Sequence, residues 1–221
     1  MAAKEETGAS DVLYNVKRTI IDYMTDPSGA TQITDVLATY TSLPAAKAFA
    51  YQCLDKAGYK KDDFDVWEEK DTAKAWKQPD GVLVYAKGAS GVVIYVAIDT
   101  TPNVNGFKGN DQGLVETHLQ YVVQTTIDYD ADRSGERQTT SIEGVFGTRD
   151  AARKAAKTIL LDKSDDVTKE SFAEYDEREE KDAEWSYGEN SWVHAVGPTG
   201  DNYLVSVLTQ PGTKGGTHSA Q

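Results

Sequence analysis

Apolar and polar positions along the chain alternate over short runs, and the pattern changes to a helical period only twice. Tyr14–Tyr23 and Tyr121–Tyr129 alternate and are rich in β-branched and aromatic residues, which predicts an opening strand in each half. Gln32–Tyr40 and Gln138–Phe146 repeat that pattern after the loops DPSGA (26–30) and DRSGE (132–136), whose Ser and Gly suit a tight turn. Ala46, Phe49, Ala50, Cys53 and Leu54 then fall on one helical stripe, as do Ala152, Ala155, Ala156, Ile159 and Leu160. Each stripe follows residues suited to a helix start: Ser42 with Pro44, and Thr148 with Asp150. Three further strands are predicted in each half, at Phe64–Glu69, Val82–Ala86 and Val92–Ile98, and at Phe172–Glu177, Trp192–Val196 and Tyr203–Leu208. The last two of each set turn at Gly88–Gly91 or Gly197–Gly200.

The two halves are copies. With a constant offset of 106, Val16–Leu54 aligns without a gap on Val122–Leu160, and 14 of the 39 pairs are identical. They include Asp22/Asp128, Tyr23/Tyr129, Asp26/Asp132, Gly29/Gly135 and Gln32/Gln138. Beyond the helix, Trp67 matches Tyr175, Trp76 matches Trp185 and Gly91 matches Gly200 after small insertions. The fold class expected is α+β: two tandem pseudo-symmetric modules of order β-β-α-β-β-β, each an antiparallel sheet with one main helix. Residues 11–100 and 118–210 form the modules, 101–117 the linker, and 1–10 and 212–221 flexible tails that should be dispensable. The final hairpin of each module is almost continuously apolar, which predicts burial on both faces with the sister module as the second cover. A ligand groove is then expected along the seam, near Trp76 and Trp185.

Charge narrows the partners. The 221 residues carry 23 Lys+Arg and 36 Asp+Glu, a net charge of −13, which argues against nucleic acid or an anionic membrane. The excess is uneven: residues 1–110 are at −3 and 111–221 at −10, with much of it in Glu170–Glu184. That stretch reads either as a surface for a basic partner or as charge that blunts a sheet edge, and the second is favoured. One cysteine, Cys53, excludes an intrachain disulfide and a cysteine cluster. The start of the chain has no signal-peptide pattern, and a soluble cytoplasmic protein is expected.

Candidate chemistry is sparse. Asp130-x-Asp132-x-Ser134-Gly135 matches the first half of a calcium-binding EF-hand loop, but the twelfth position is Ser141 and the flanks read as strands. A turn held by Asp and Ser side chains accounts for the same residues and is preferred. The three histidines, His118, His194 and His218, are not spaced for a metal, so no metal site and no cofactor are expected. Asp22 and Asp128, beside Tyr23 and Tyr129, could share one site across a pseudo-two-fold axis, or each could fix its own hairpin. Trp76 and Trp185, in charged stretches, could cover a sheet or line a groove.

Three resemblances follow from these residues. The strand–helix junctions DVLATYTSLPAAKAFAYQCL and EGVFGTRDAARKAAKTIL resemble the G-x-[FY]-x-[ST]-x-x-x-A pattern of the SPOR cell-wall-binding domain over about twenty residues per copy. The second helix of that domain has no counterpart here. The whole module, with Tyr/Phe-x-Ser, an Ala-rich helix and an acidic stretch, is similar to small acidic intracellular proteins of filamentous fungi, a likeness that implies no activity. Paired modules also resemble the build of vicinal-oxygen-chelate enzymes, although their His and Glu ligands find no match. The expected function is a non-enzymatic binding or scaffold protein, monomer or homodimer, taking a protein or small molecule at the seam through Trp76, Trp185, Tyr23, Tyr129, Asp22 and Asp128. The alternative is a cofactor-independent isomerase, cyclase or lyase with its pocket between modules.

Overall fold

A computed structural model describes residues 10–179 and 185–210. It shows an α+β fold of two antiparallel five-stranded sheets, each with one helix. In the first module, β1 (Val12–Asp22) and β2 (Gln32–Tyr40) precede α1 (Leu43–Lys56), and β3 (Val66–Glu69), β4 (Val82–Lys87) and β5 (Val92–Pro102) follow. The second module runs β6 (Gln120–Ile127), β7 (Gln138–Phe146), α2 (Arg149–Ala156), β8 (Glu174–Glu177), β9 (Ser191–Val196) and β10 (Asn202–Thr209). Strand order is β2-β1-β5-β4-β3 in one sheet and β7-β6-β10-β9-β8 in the other, so β2 and β7 are matching edges. The irregularities match as well: β1 shifts register against β2 between Val16 and Lys17, and β6 against β7 between Val122 and Val123.

Alternation decides which residues meet which layer. On one face of the first sheet Val16, Val84, Ala86, Ile94 and Val96 pack beneath Ala46, Ala50, Cys53 and Leu54 of α1. The alanines remove side-chain bulk and let the helix lie close to the strands. Ala152 and Ala156 of α2 do the same over Val122, Val193, Val205 and Val207. The helix starts differ in detail. Thr148 caps α2 by accepting from the Ala151 N–H at 3.3 Å, whereas the Ser42 side chain makes no such bond and Pro44 alone pre-sets the first turn of α1. Helix α2 ends at Ala156, before Ile159 and Leu160 of the predicted stripe, which pack on the second core from turns.

The opposite faces meet. Leu13 and Val36 of the first module join Tyr121, Val123, Ile142 and Val145 of the second in a buried core shared by both. The stretch expected to be a linker contributes to it. β5 runs on to Pro102, Val115 and Leu119 are fully buried, and the Val115 N–H donates to the Thr39 carbonyl on β2 at 2.9 Å. Gly and Asn make 101–117 read as a tether, but Val115 within it is docked in the shared core while Val104 stays exposed. A buried polar chain crosses the same seam: Asn15 Nδ2 donates to Thr101 Oγ1 at 3.0 Å, Thr39 Oγ1 donates to Asn15 Oδ1 at 2.7 Å, and Thr39 Oγ1 lies 2.9 Å from Tyr121 Oη. Full satisfaction of these groups makes them specific rather than costly. Of the expected tails, residues 1–9 and 212–221 lie outside the described residues, while Ser10 is bonded through its carbonyl to Asn103. Among the described residues no helix is long and apolar enough to cross a membrane.

Candidate functional site

The two Gly-containing hairpin loops face each other across the seam. Gln32 Nε2 donates to the Glu136 carbonyl at 2.9 Å, and its counterpart Gln138 Nε2 donates to the Ala30 carbonyl at 2.7 Å. Those two bonds are each other's image under the duplication. Within each loop an aspartate organises the turn. Asp26 accepts from Ser28 and Thr31, and Asp132 from Ser134, Glu136 and Arg137. These bonds hold both carboxyls below the usual range, Asp26 at about 2. The DADRSGE loop is therefore a self-bonded turn in which the backbone and Ser134 use the oxygens a calcium ion would need.

Asp22 and Asp128 are each bonded within their own hairpin. Asp22 accepts from the N–H groups of Met24 and Thr25 and from Thr25 Oγ1, which lowers its pKa. Asp128 accepts from the Ala131 N–H and pairs with Arg137 at 3.3 Å. Each is a hairpin brace. Tyr23 behaves otherwise: its hydroxyl crosses the seam and donates to Glu136 Oε1 at 2.5 Å. That bond, with some burial, pushes the phenol up to about 12. Tyr129 meets no carboxylate in the mirrored position, because Glu136 aligns with Ala30. Tyr129 instead packs near Gly135 and remains exposed.

Beside the Tyr23–Glu136 bond lies a groove of about 270 Å³. Its walls come from both modules: Tyr23, Tyr95 and Asp80 from the first, Glu136 and Thr140 from the second, with Lys17 at the floor. Lys17 Nζ is 2.7 Å from Asp99 Oδ2 and also donates to the Thr140 carbonyl, while Asp99 accepts from the Ile142 N–H at 2.9 Å. The ion pair thus caps the open edge of β7. Tyr95 stands against Tyr85 with ring centroids 5.2 Å apart.

The tryptophans lie elsewhere. Trp76 lines a separate hollow with Trp67 and Glu68, and Trp185 packs edge-on to Tyr187 at 5.1 Å. Both follow the third strand of their module, and the loop that carries Trp76 goes on to bring Asp80 to the seam groove. Neither tryptophan is among the residues that line the seam groove where it was expected. Near Trp185 the strands assemble a group that sequence reading missed. Glu174 and Asp176 on β8 and His194 on β9 bring ligand atoms within 4.8 Å of one another. Asp176 is the register partner of His194, so pairing of β8 with β9 makes the contact. Of the acidic stretch Glu170–Glu184, residues 180–184 lie outside the described residues; Glu177 is paired with Lys157 at 3.1 Å and Lys169 at 2.5 Å. Comparison with family models, curated proteins and solved structures gives no match to this chain.

Proposed function

We propose that this is a non-enzymatic binding protein, two pseudo-symmetric modules of order β-β-α-β-β-β, that takes a small aromatic amine in the seam groove. The observation that carries this reading is the Tyr23–Glu136 bond at the rim of a groove built from both modules. Glu136 and Asp80 supply negative charge to the groove, while the cation Lys17 is already occupied by Asp99. A protonated amine would find a carboxylate, and Tyr95 offers a ring face for its apolar part. Binding rather than catalysis is favoured because Asp22 and Asp128, the carboxylate pair an enzyme reading needs, are spent on their own turns. A reducing, cytoplasmic setting suits the single buried thiol of Cys53.

A thermal-shift panel of aromatic amines, with the matching aromatic acids as controls, tests the proposal on the full chain. Amines should raise the melting temperature saturably and the acids should not. Replacing Glu136 with Gln should weaken the effect about tenfold or more, since a charge-assisted bond is lost. A flat response to every amine, or a response that survives Glu136→Gln unchanged, refutes it.

A further inference from the structure

We infer that Glu174, Asp176 and His194 form a site for a divalent transition ion of the zinc type, present in the second module and missing from the first. The argument starts from the histidine. Its ring is stacked on Tyr187 with centroids 4.0 Å apart and planes 10° from parallel, and only 12% of the side chain is exposed. Nε2 lies 3.1 Å from Asn202 Oδ1. The Asn202 amide is itself oriented, because its Nδ2 donates to the Gly200 carbonyl at 3.1 Å. Oδ1 therefore faces the ring, and Nε2 must carry the proton it accepts.

In the neutral ring that leaves Nδ1 with a bare lone pair. Nδ1 is buried, makes no hydrogen bond among the described residues, and sits 3.5 Å from Asp176 Oδ2. A lone pair facing a carboxylate oxygen is repulsive unless a proton on Nδ1 or a metal ion lies between them. Glu174, two residues along β8 on the same face, adds a second carboxylate to the same point. One neutral nitrogen and two anionic oxygens match a divalent ion in charge and in donor type. Imidazole selects zinc-like ions over calcium or magnesium, which prefer oxygen alone. Ligand atoms around such a tetrahedral ion lie about 3.4 Å apart for bonds near 2.1 Å, close to the His194–Asp176 separation and within a side-chain adjustment for Glu174. The outer contacts are of the kind that orient metal ligands: Asn202 behind the histidine, and Tyr187 donating to Asp176 Oδ2 at 2.7 Å.

The sister module is the control. Its register places Glu68 opposite Tyr85, with Val66 two residues before Glu68 and Val93 on β5. Glu68 accepts from Gln78 Nε2 at 3.0 Å, the bond that corresponds to Tyr187 with Asp176. The carboxylate and its partner persist in both copies. Where the first copy has Val66, Tyr85 and Val93, the second has Glu174, His194 and Asn202. Those three differences supply an anionic ligand, a nitrogen ligand and the group that fixes its tautomer.

Isothermal titration of EDTA-stripped full-length protein with zinc sulfate, and in parallel with calcium and magnesium chloride, tests this. Zinc should bind at one saturable site in the micromolar range, with calcium and magnesium much weaker. His194→Tyr restores the residue that the first module folds with, so it should keep the fold and abolish the site. Asn202→Val should weaken zinc by ~10–100-fold through the ring orientation. A variant lacking His118 and His218 should bind as well as the parent. Nitrogen-15 spectra of the histidines should show His194 protonated at Nε2, with the Nδ1 resonance moving on zinc addition. No saturable binding up to millimolar zinc, binding unchanged in His194→Tyr, or an His194 doubly protonated at neutral pH and indifferent to zinc would each overturn the inference.

Discussion

The two modules share a backbone plan and differ in how they treat the same positions. Across the seam the first module presents Lys17 and Asp99, and the aligned residues of the second are Val123 and Leu208. Lys17 and Asp99 cap the edge of β7, whereas Val123 and Leu208 sit in or against the shared apolar core. One hairpin offers Tyr23 to Glu136, and the other offers Tyr129 to Ala30. At the far end of the sheets Glu68 and Tyr85 correspond to Asp176 and His194. What stayed the same is what makes the hairpins: Asp26/Asp132, Gly29/Gly135 and Gln32/Gln138. A duplicated chain thus contains its own control, with folding residues kept in both copies and specialised chemistry in the positions that diverged.

The polar seam gives the largest expected effect. Lys17 and Asp99 are exposed by only 12% and 19%, so they are an ion pair largely out of water. Lys17→Met leaves the Asp99 carboxylate without its cation and the Thr140 carbonyl without a donor. We expect a loss of about 3 kcal/mol in urea unfolding. The double variant Lys17→Val with Asp99→Leu installs the residues of the second module and should recover most of that loss, since both charges go together. If the double variant is as unstable as the single one, the two seams are not alternative solutions to one packing problem.

The glycine loops give the next effect. Gly29 has φ of +71° and Gly135 +83°, a region that costs a side chain about 1–2 kcal/mol. A Cβ at Gly29 would lie 2.8 Å from Tyr23 Cε1 and 3.1 Å from Glu136 Cγ, while one at Gly135 would lie 3.2 Å from Tyr129 Cε1. Gly29→Ala must therefore displace the Tyr23–Glu136 pair as well as strain the backbone, and it should lower the melting temperature more than Gly135→Ala. Equal losses would mean that the pair yields without cost.

How much of this was legible beforehand follows from where each contact forms. Strands and helices could be placed because burial imposes periods of two and 3.6 on the sequence, and two copies gave each element twice. The hairpin turns could be read because Asp, Ser and Gly act on their own loop. Contacts made only by tertiary packing were harder. Val115 and Leu119 sit between Gly-rich and polar residues on one side and the start of β6 on the other, and nothing local tells that they dock. Trp76 and Trp185 sit in charged loop stretches, and which part of such a loop reaches the seam is not written in its composition. Glu174, Asp176 and His194 lie on two strands joined through a long loop, so no fixed spacing announces them. A signal did exist: at aligned positions, Val66 and Tyr85 are replaced by ionisable ligands.

The smallest effect is the titration of Tyr23, and its sign can be worked through. In the folded protein the bond to Glu136 raises the phenol to about 12, against about 10 in an unfolded chain. The folded state therefore holds the proton longer. The stabilisation this gives is fully present below pH 10 and disappears as pH rises from there through 12. Tyr23 is half-buried and its partner Glu136 is exposed, so the loss should be small and should fade in high salt. Tyr121 and Tyr175 are also pushed to about 12, but by burial first, so absorbance at alkaline pH reports several late tyrosines together. Glu136→Gln separates them. It removes the carboxylate that opposes phenolate formation at Tyr23 and leaves the two buried rings unchanged. One tyrosine should then ionise earlier, towards pH 10, and alkaline unfolding should lose part of its dependence on pH between those values. If the titration curve is the same in Glu136→Gln, the contact between Tyr23 and Glu136 does not govern that phenol, and the two hairpins are more alike than their sequences imply.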